Sequence, residues 1–335
     1  MSDAVRDIEA APTRRTPAAL RWGVKIVVSV ALMAFLARKI SFDELQALLR
    51  GMDRVLLFSA VAVFLVSNIA GWLQWHVLLR ASGVTLPRSL TFRVYFVGLF
   101  FNNFLPANIG GDVVKVYDVT KMGTDPYQVI AVTLLDRLLG VFSLCLMAAI
   151  ADGFMIAKSP APYLLYLGVF VACMLPALAF YFHRPLGSAL RRGLEKIRPF
   201  ALHRRASLIL DHLSPFKWQQ PLLARLVVFS AFIQALRVVT HVLVGMALGI
   251  HVDAVVLLQF FVFIPLLSLA MIPPITINGL GIREGLGIVL FTAAGIGSTD
   301  AFTMEFLTFI VSVAVSLIGL VFFLGRRSQR PGFRA

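Results

Sequence analysis

Acidic residues, histidine and cysteine are scarce in this sequence. Its 335 residues hold 17 Asp and Glu against 31 Lys and Arg, with six histidines and two cysteines, and only 14% of the chain is charged. Soluble domains carry about 25% charged residues, so the composition excludes an ordinary soluble domain. Cys145 and Cys173 both fall inside apolar runs; they read as small core residues, and no disulfide framework is present. The sequence has no Walker motif, no H-E-x-x-H and no Cys/His spacing of the metal-binding kind. It therefore calls for no ATP hydrolysis, no bound metal and no other cofactor.

Apolar residues fill the rest: 59% of the chain is hydrophobic and the mean hydropathy is +0.86. Crossing ~30 Å of hydrocarbon takes about 20 apolar residues in a helix. Eight windows reach or approach that length, at 22–38, 55–79, 127–150, 163–182, 222–249, 254–272, 283–297 and 302–324. The expected fold class is an all-α integral membrane protein. One transmembrane domain, 22–325, lies between a basic tail at 1–21 and another at 326–335. The first window has no small-residue cleavage pattern before Arg38 and Lys39, and reads as a retained signal anchor.

The net charge of +14 is concentrated before residue 22, in the 183–221 loop and after residue 325. Basic residues of this kind set topology, so all three regions are expected in the cytoplasm. Topology accounts for the excess without nucleic acid as a partner. The same surfaces could also hold anionic headgroups.

Two apolar segments carry residues that a membrane helix should not tolerate. The first runs Asn102-Asn103-Phe104-Leu105-Pro106-Ala107-Asn108-Ile109-Gly110-Gly111-Asp112-Val113-Val114-Lys115, the second Ile272-Pro273-Pro274-Ile275-Thr276-Ile277-Asn278-Gly279-Leu280-Gly281-Ile282-Arg283-Glu284. In lipid, broken backbone survives only where protein or a wet cavity satisfies its polar groups. Charge arithmetic bears on the first break. If 94–118 crossed the membrane, the basic 183–221 loop would fall outside; if it re-enters and returns, that loop and the C-terminal arginines stay inside. Re-entrance is therefore expected there. At the second break, 283–297 is short and glycine-containing, and the sequence leaves open whether it crosses or pairs as a half-helix with 254–272. Both breaks share the order Pro, Asn, paired glycines, charge, as an inverted repeat would.

Ionisable residues inside membrane spans are costly and mark function by default. Asp112 and Lys115 stand at i,i+3 and pair if the run after Gly111 is helical. Asp136 and Arg137 are adjacent, so they face different partners on a helix, with Arg237 a candidate for Asp136. Gln234, Arg237 and His241 share one face of window 222–249. Arg283 and Glu284 open the helix after the second break, where the helix dipole favours Glu284. Asn103, Asn108 and Asn278 offer amide contacts or backbone caps. Pro106, Gly110, Gly111, Pro274, Gly279 and Gly281 are the break and hinge positions. Glu305, near the outer end of the last window, reads as interfacial. Residues 41–50 open with a capping box, Ser41 to Glu44, and form a short amphipathic helix on the outer interface.

The set Asn103-x-x-Pro106-x-x-x-Gly110-Gly111-Asp112, Asp136-Arg137-Leu138 and Pro274 through Gly279-x-Gly281-x-Arg283-Glu284 resembles the lysylphosphatidylglycerol synthase transmembrane region, a flippase-like family. The likeness covers roughly residues 20–325. Lys115 and Asp136 stand where many members carry Arg and Glu. The resemblance implies lipid translocation, without the soluble domain that makes the aminoacylated lipid in the best-known member. A separately encoded lipid-modifying enzyme is then an expected partner beside membrane lipids. The function the resemblance implies is a flippase of the bacterial inner membrane for an anionic, aminoacylated or glycosylated lipid. The alternative is a membrane glycosyltransferase using a polyprenyl-phosphate donor, with Asp43, Glu44 and Asp53 as outer-loop acids.

Overall fold

The computed structural model describes residues 42–104, 110–156, 160–182, 200–273 and 279–325. These residues form eleven α-helices and one 3₁₀ turn, with no strand among them. The window 22–38, the capping residue Ser41 and both basic tails lie outside the described residues.

The helices follow the apolar windows and the first break, with a short one at 42–51 and another, at 200–213, inside the basic 183–221 loop. They are α1 (Phe42–Gly51), α2 (Arg54–Ala81), α3 (Arg88–Phe104), α4 (Gly110–Thr120), α5 (Pro126–Ile156), α6 (Pro160–Phe182), α7 (Phe200–Leu213), α8 (Gln220–Ala247), α9 (Ala254–Ala270), α10 (Ile282–Ala293) and α11 (Ser298–Gly325). α2, α5, α8 and α11 are each long and apolar enough to cross a membrane, and α6 and α9 contain shorter apolar stretches. α10 has twelve residues, about 18 Å of helix at 1.5 Å per residue, which is too short to cross alone. Starts are capped by side chains where the chain turns: Asp53 accepts from Val55 N and Leu56 N at the head of α2, and Asp253 accepts from Val256 N at the head of α9.

Two hydrophobic clusters organise the bundle. One joins α5, α6, α8, α9, α10 and α11 around Phe260, Phe263, Phe291 and Met304. The other joins α2, α3, α4, α5, α7 and the first turns of α8 around Trp75, Leu78, Leu79 and Val132. α5 and α8 contribute to both, so each carries its polar residues from one cluster toward the other.

The first break folds as a helical hairpin of α3 and α4. Gly111 N donates to Asn102 Oδ1 at 2.8 Å, so Asn102 caps the start of α4. The hairpin is closed by glycine: a Cβ on Gly111 would fall on the carbonyl oxygen of Gly98. α11 approaches α3 in the same manner, since a Cβ on Gly319 would fall on the Phe96 carbonyl. Neither neighbour is a movable side-chain tip. Gly111→Val is therefore expected to cost the fold about 3 kcal/mol, read as a lowered melting temperature in detergent. Gly153→Ala, at a position with open space around it, serves as the unaffected control.

α1 docks on protein as well as presenting an apolar face. Leu48 packs against the first cluster, and Thr299 Oγ1 of α11 donates to Glu44 Oε2 at 2.7 Å. Asp53 N donates to the Ala247 carbonyl at 2.8 Å, tying the α1–α2 corner to the end of α8.

Candidate functional site

At the first break α4 is helical from Gly110, which stacks Asp112 and Lys115 on one face. Lys115 Nζ lies 2.7 Å from Asp112 Oδ1. The second carboxylate oxygen of Asp112 accepts from Arg137 Nε of α5. The pair is buried, with side-chain exposures of 7% for Lys115 and 9% for Asp112, whereas Arg137 is 43% exposed. Lys115 Nζ also lies over the rings of Trp75 and Tyr95, 5.3 and 5.2 Å from their centroids. An ammonium so placed is held by one carboxylate and two ring faces in place of water.

Asp136 does not pair with Arg237 as the sequence suggested. Its Oδ1 accepts from Gln74 Nε2 of α2 at 2.9 Å. Adjacent residues on α5 thus point to different helices, Asp136 to α2 and Arg137 to α4. Arg237 donates to Gln234 Oε1 at 3.4 Å, and Gln234 donates to the Gly140 carbonyl of α5 at 3.1 Å. Tyr95 of α3 lies within electrostatic range of Asp112, Asp136, Arg137 and Arg237. The first break, α5 and α8 therefore surround one polar centre. Its formal charges are Lys115, Arg137 and Arg237 against Asp112 and Asp136, an excess of one positive charge.

Seven residues beyond Gln234 along α8, about 10 Å of helix, His241 reaches a second centre at the start of α10. Gly281, with φ +85°, and Gly279, with φ +73°, turn the chain into that helix in the left-handed conformation that glycine adopts without strain. Glu284 then reaches back to the helix start, its Oε2 accepting from Gly281 N at 2.6 Å, while its Oε1 takes Arg283 Nη2 at 2.6 Å. The dipole and the unsatisfied N–H groups of the first turn both favour a carboxylate there. Arg283 is 7% exposed. Its Nε lies 3.5 Å from Glu305 Oε2 and its guanidinium 5.2 Å from the Phe309 ring centroid.

Glu305 is the correction that matters most. It is not interfacial: the side chain is fully buried and stands between Arg283 and His241. Gly287 gives it room, since a Cβ there would meet Glu305 Cγ at 2.9 Å. Asn103, also buried, turns to α11, where Ser312 Oγ donates to its Oδ1 at 3.4 Å. Pro106, Asn108, Pro274 and Asn278 lie outside the described residues.

An open cleft of about 790 Å³ separates α1 from the ends of α8 and α11, with Glu44, Asp53 and Asp300 among its lining residues. Asp53 is engaged as the cap of α2 and Glu44 by Thr299. Among the described residues no three His, Cys, Asp or Glu side chains are grouped to hold a metal.

An all-helical bundle with spanning helices, two broken segments and ion pairs packed inside it defines a multi-pass membrane protein with an internal polar centre. The sequence matches the family described as lysylphosphatidylglycerol synthase TM region over residues 22–319, and the chain belongs to that family. It is also similar to a UPF0104 membrane protein of Methanothermobacter thermautotrophicus, 22% identical over 296 residues that cover 82% of this chain and 86% of the relative.

Proposed function

We propose that this protein is a lipid flippase of the bacterial inner membrane, moving a lipid with an anionic, aminoacylated or glycosylated headgroup across the bilayer. The observation that carries this reading is Arg137. It is the exposed member of a buried charge cluster with a net positive excess, placed beside a break in the membrane helices. A buried cation already matched by a carboxylate has little to offer a ligand. An exposed guanidinium held by Asp112 in a fixed direction can take a phosphate in bidentate fashion. Arg237 stands on the facing helix as a second contact, while the acyl chains stay in lipid.

In this mechanism the α3–α4 hairpin re-enters from the cytoplasmic side, with both termini cytoplasmic. The segments around Gly279 and Gly281 act as the hinges of the second half. Alternating access follows from rocking one half against the other around the fixed centre. Asn103, Asn108 and Asn278 are the amides expected to contact the headgroup. A separately encoded enzyme would supply the modified lipid.

The test is headgroup accessibility in proteoliposomes, using fluorescent phosphatidylglycerol, an aminoacylated phosphatidylglycerol and a glycosylated lipid. Wild-type protein is expected to move one class. Arg137→Ala is expected to slow that movement about tenfold or more, the loss of one charge-assisted contact, with the melting temperature little changed because Asp112 keeps Lys115 as its partner. A well-folded Arg137→Ala protein that moves lipid at the wild-type rate would overturn the assignment.

A further inference from the structure

The second centre, on the same flippase reading, has an unbalanced charge count. Arg283 and Glu284 neutralise each other, and Glu305 is left over, fully buried. Among the described residues neither of its oxygens has a hydrogen-bond partner. Among the described residues the charged or titratable side chains facing it are Arg283 of α10, Glu284 beside it, and His241 of α8. A carboxylate stripped of water and short of hydrogen bonds is strongly disfavoured.

The imidazole supplies the missing piece. His241 Nδ1 lies 2.9 Å from the Arg237 carbonyl. A carbonyl can only accept, so Nδ1 carries a hydrogen and donates. In the neutral ring, Nε2 is then a bare lone pair, and it points at Glu305 Oε2 from 3.7 Å. A lone pair facing an ionised carboxylate is repulsive. One proton between them removes the conflict, as Glu305 O–H toward Nε2 or as imidazolium toward carboxylate. With that proton the four-residue centre is neutral; without it, one negative charge is buried.

We infer that Glu305 and His241 form a proton-binding site that shares one exchangeable proton and loads and unloads it during lipid movement. The geometry gives the site a route to the first centre. His241 and Arg237 are joined through the Nδ1–carbonyl bond within one turn of α8, and Arg237 bonds Gln234, which bonds α5. A change of charge at Glu305 is thus felt on the helix that presents Arg237 to the headgroup.

Two measurements test this. The first needs no lipid substrate: infrared difference spectra of the purified wild-type protein in nanodiscs, taken across a pH titration. A protonated-carboxyl or imidazolium band is expected that disappears at high pH and is absent in the isosteric Glu305→Gln protein, while His241→Gln shifts the pH at which Glu305 titrates. A Glu305→Gln protein with an unchanged spectrum would overturn the site. The second measurement imposes a pH gradient on proteoliposomes and follows whichever of the three labelled lipids the wild type moves. One proton per lipid changes the steady-state ratio of the two leaflets by about tenfold per pH unit, and Glu305→Gln is expected to hold that ratio near one. A wild-type ratio indifferent to the gradient would overturn the coupling. Movement of none of the lipids would instead overturn the flippase reading and the coupling with it, and the infrared band would still decide the proton site.

Discussion

Asp112→Ala is expected to cost the fold about 3–5 kcal/mol, the usual penalty for stripping one partner from a buried ion pair. The reason lies in Lys115. Its ammonium is 2.7 Å from Asp112, its side chain is 7% exposed, and its other close neighbours are the faces of Trp75 and Tyr95. Without that carboxylate, the ammonium keeps only the two ring faces and the more distant charge of Asp136. Arg137 also loses Asp112, but it is the more exposed of the two cations, at 43% against 7% for Lys115. The double variant Asp112→Ala/Lys115→Met is therefore expected to recover most of the loss, because it removes the orphaned charge and keeps the apolar stem. The two single variants and the double form a cycle read by thermal unfolding in detergent. Equal melting temperatures for Asp112→Ala and the double variant would show that Lys115 does not depend on Asp112.

The second large effect is expected at Arg283. Arg283→Met leaves Glu284 fully buried without its cation, and about 3–5 kcal/mol of stability should go with it. Which second substitution repairs it depends on the proton at Glu305. If Glu305 and His241 share one, that unit is already neutral and Glu284 is the orphan. Adding Glu284→Gln should then restore most of the loss, since the amide oxygen can still accept from Gly281 N. If Glu305 were ionised, Glu284→Gln would leave a buried negative charge and the stability would stay low. The rescue pattern thus reports on the proton through stability alone.

Much of the site was legible in the sequence where the partners are close along the chain. The i,i+3 spacing of Asp112 and Lys115 reads as a pair as soon as the segment is taken as helical, and α4 starts at Gly110. The Gln234, Arg237 and His241 stripe needed only the helical period. Glu284 at the head of α10 followed from the glycines before it. Asp136 was not legible: Gln74 lies 62 positions earlier, and nothing in the α2 run marks that amide as aimed at α5. Glu305 was misplaced because position in a window suggests depth, not which way a side chain points. The apolar run of α11 held the only available signal, a carboxylate that lipid would not tolerate.

Local composition by itself determined that this is an all-α membrane protein with two broken segments and charges between them. Runs of apolar residues, glycine, proline and the cost of burying charge act over a few residues, so they are readable in order along the chain. Tertiary structure alone decided which charges cancel and which remain. Pairing across helices depends on the rotation and register of elements tens to hundreds of residues apart, and those are fixed by close approaches such as Gly111 on Gly98 and Gly319 on Phe96. That packing seals Lys115 away and leaves Arg137 partly exposed. It also brings Glu305 of the last helix between His241 and Arg283.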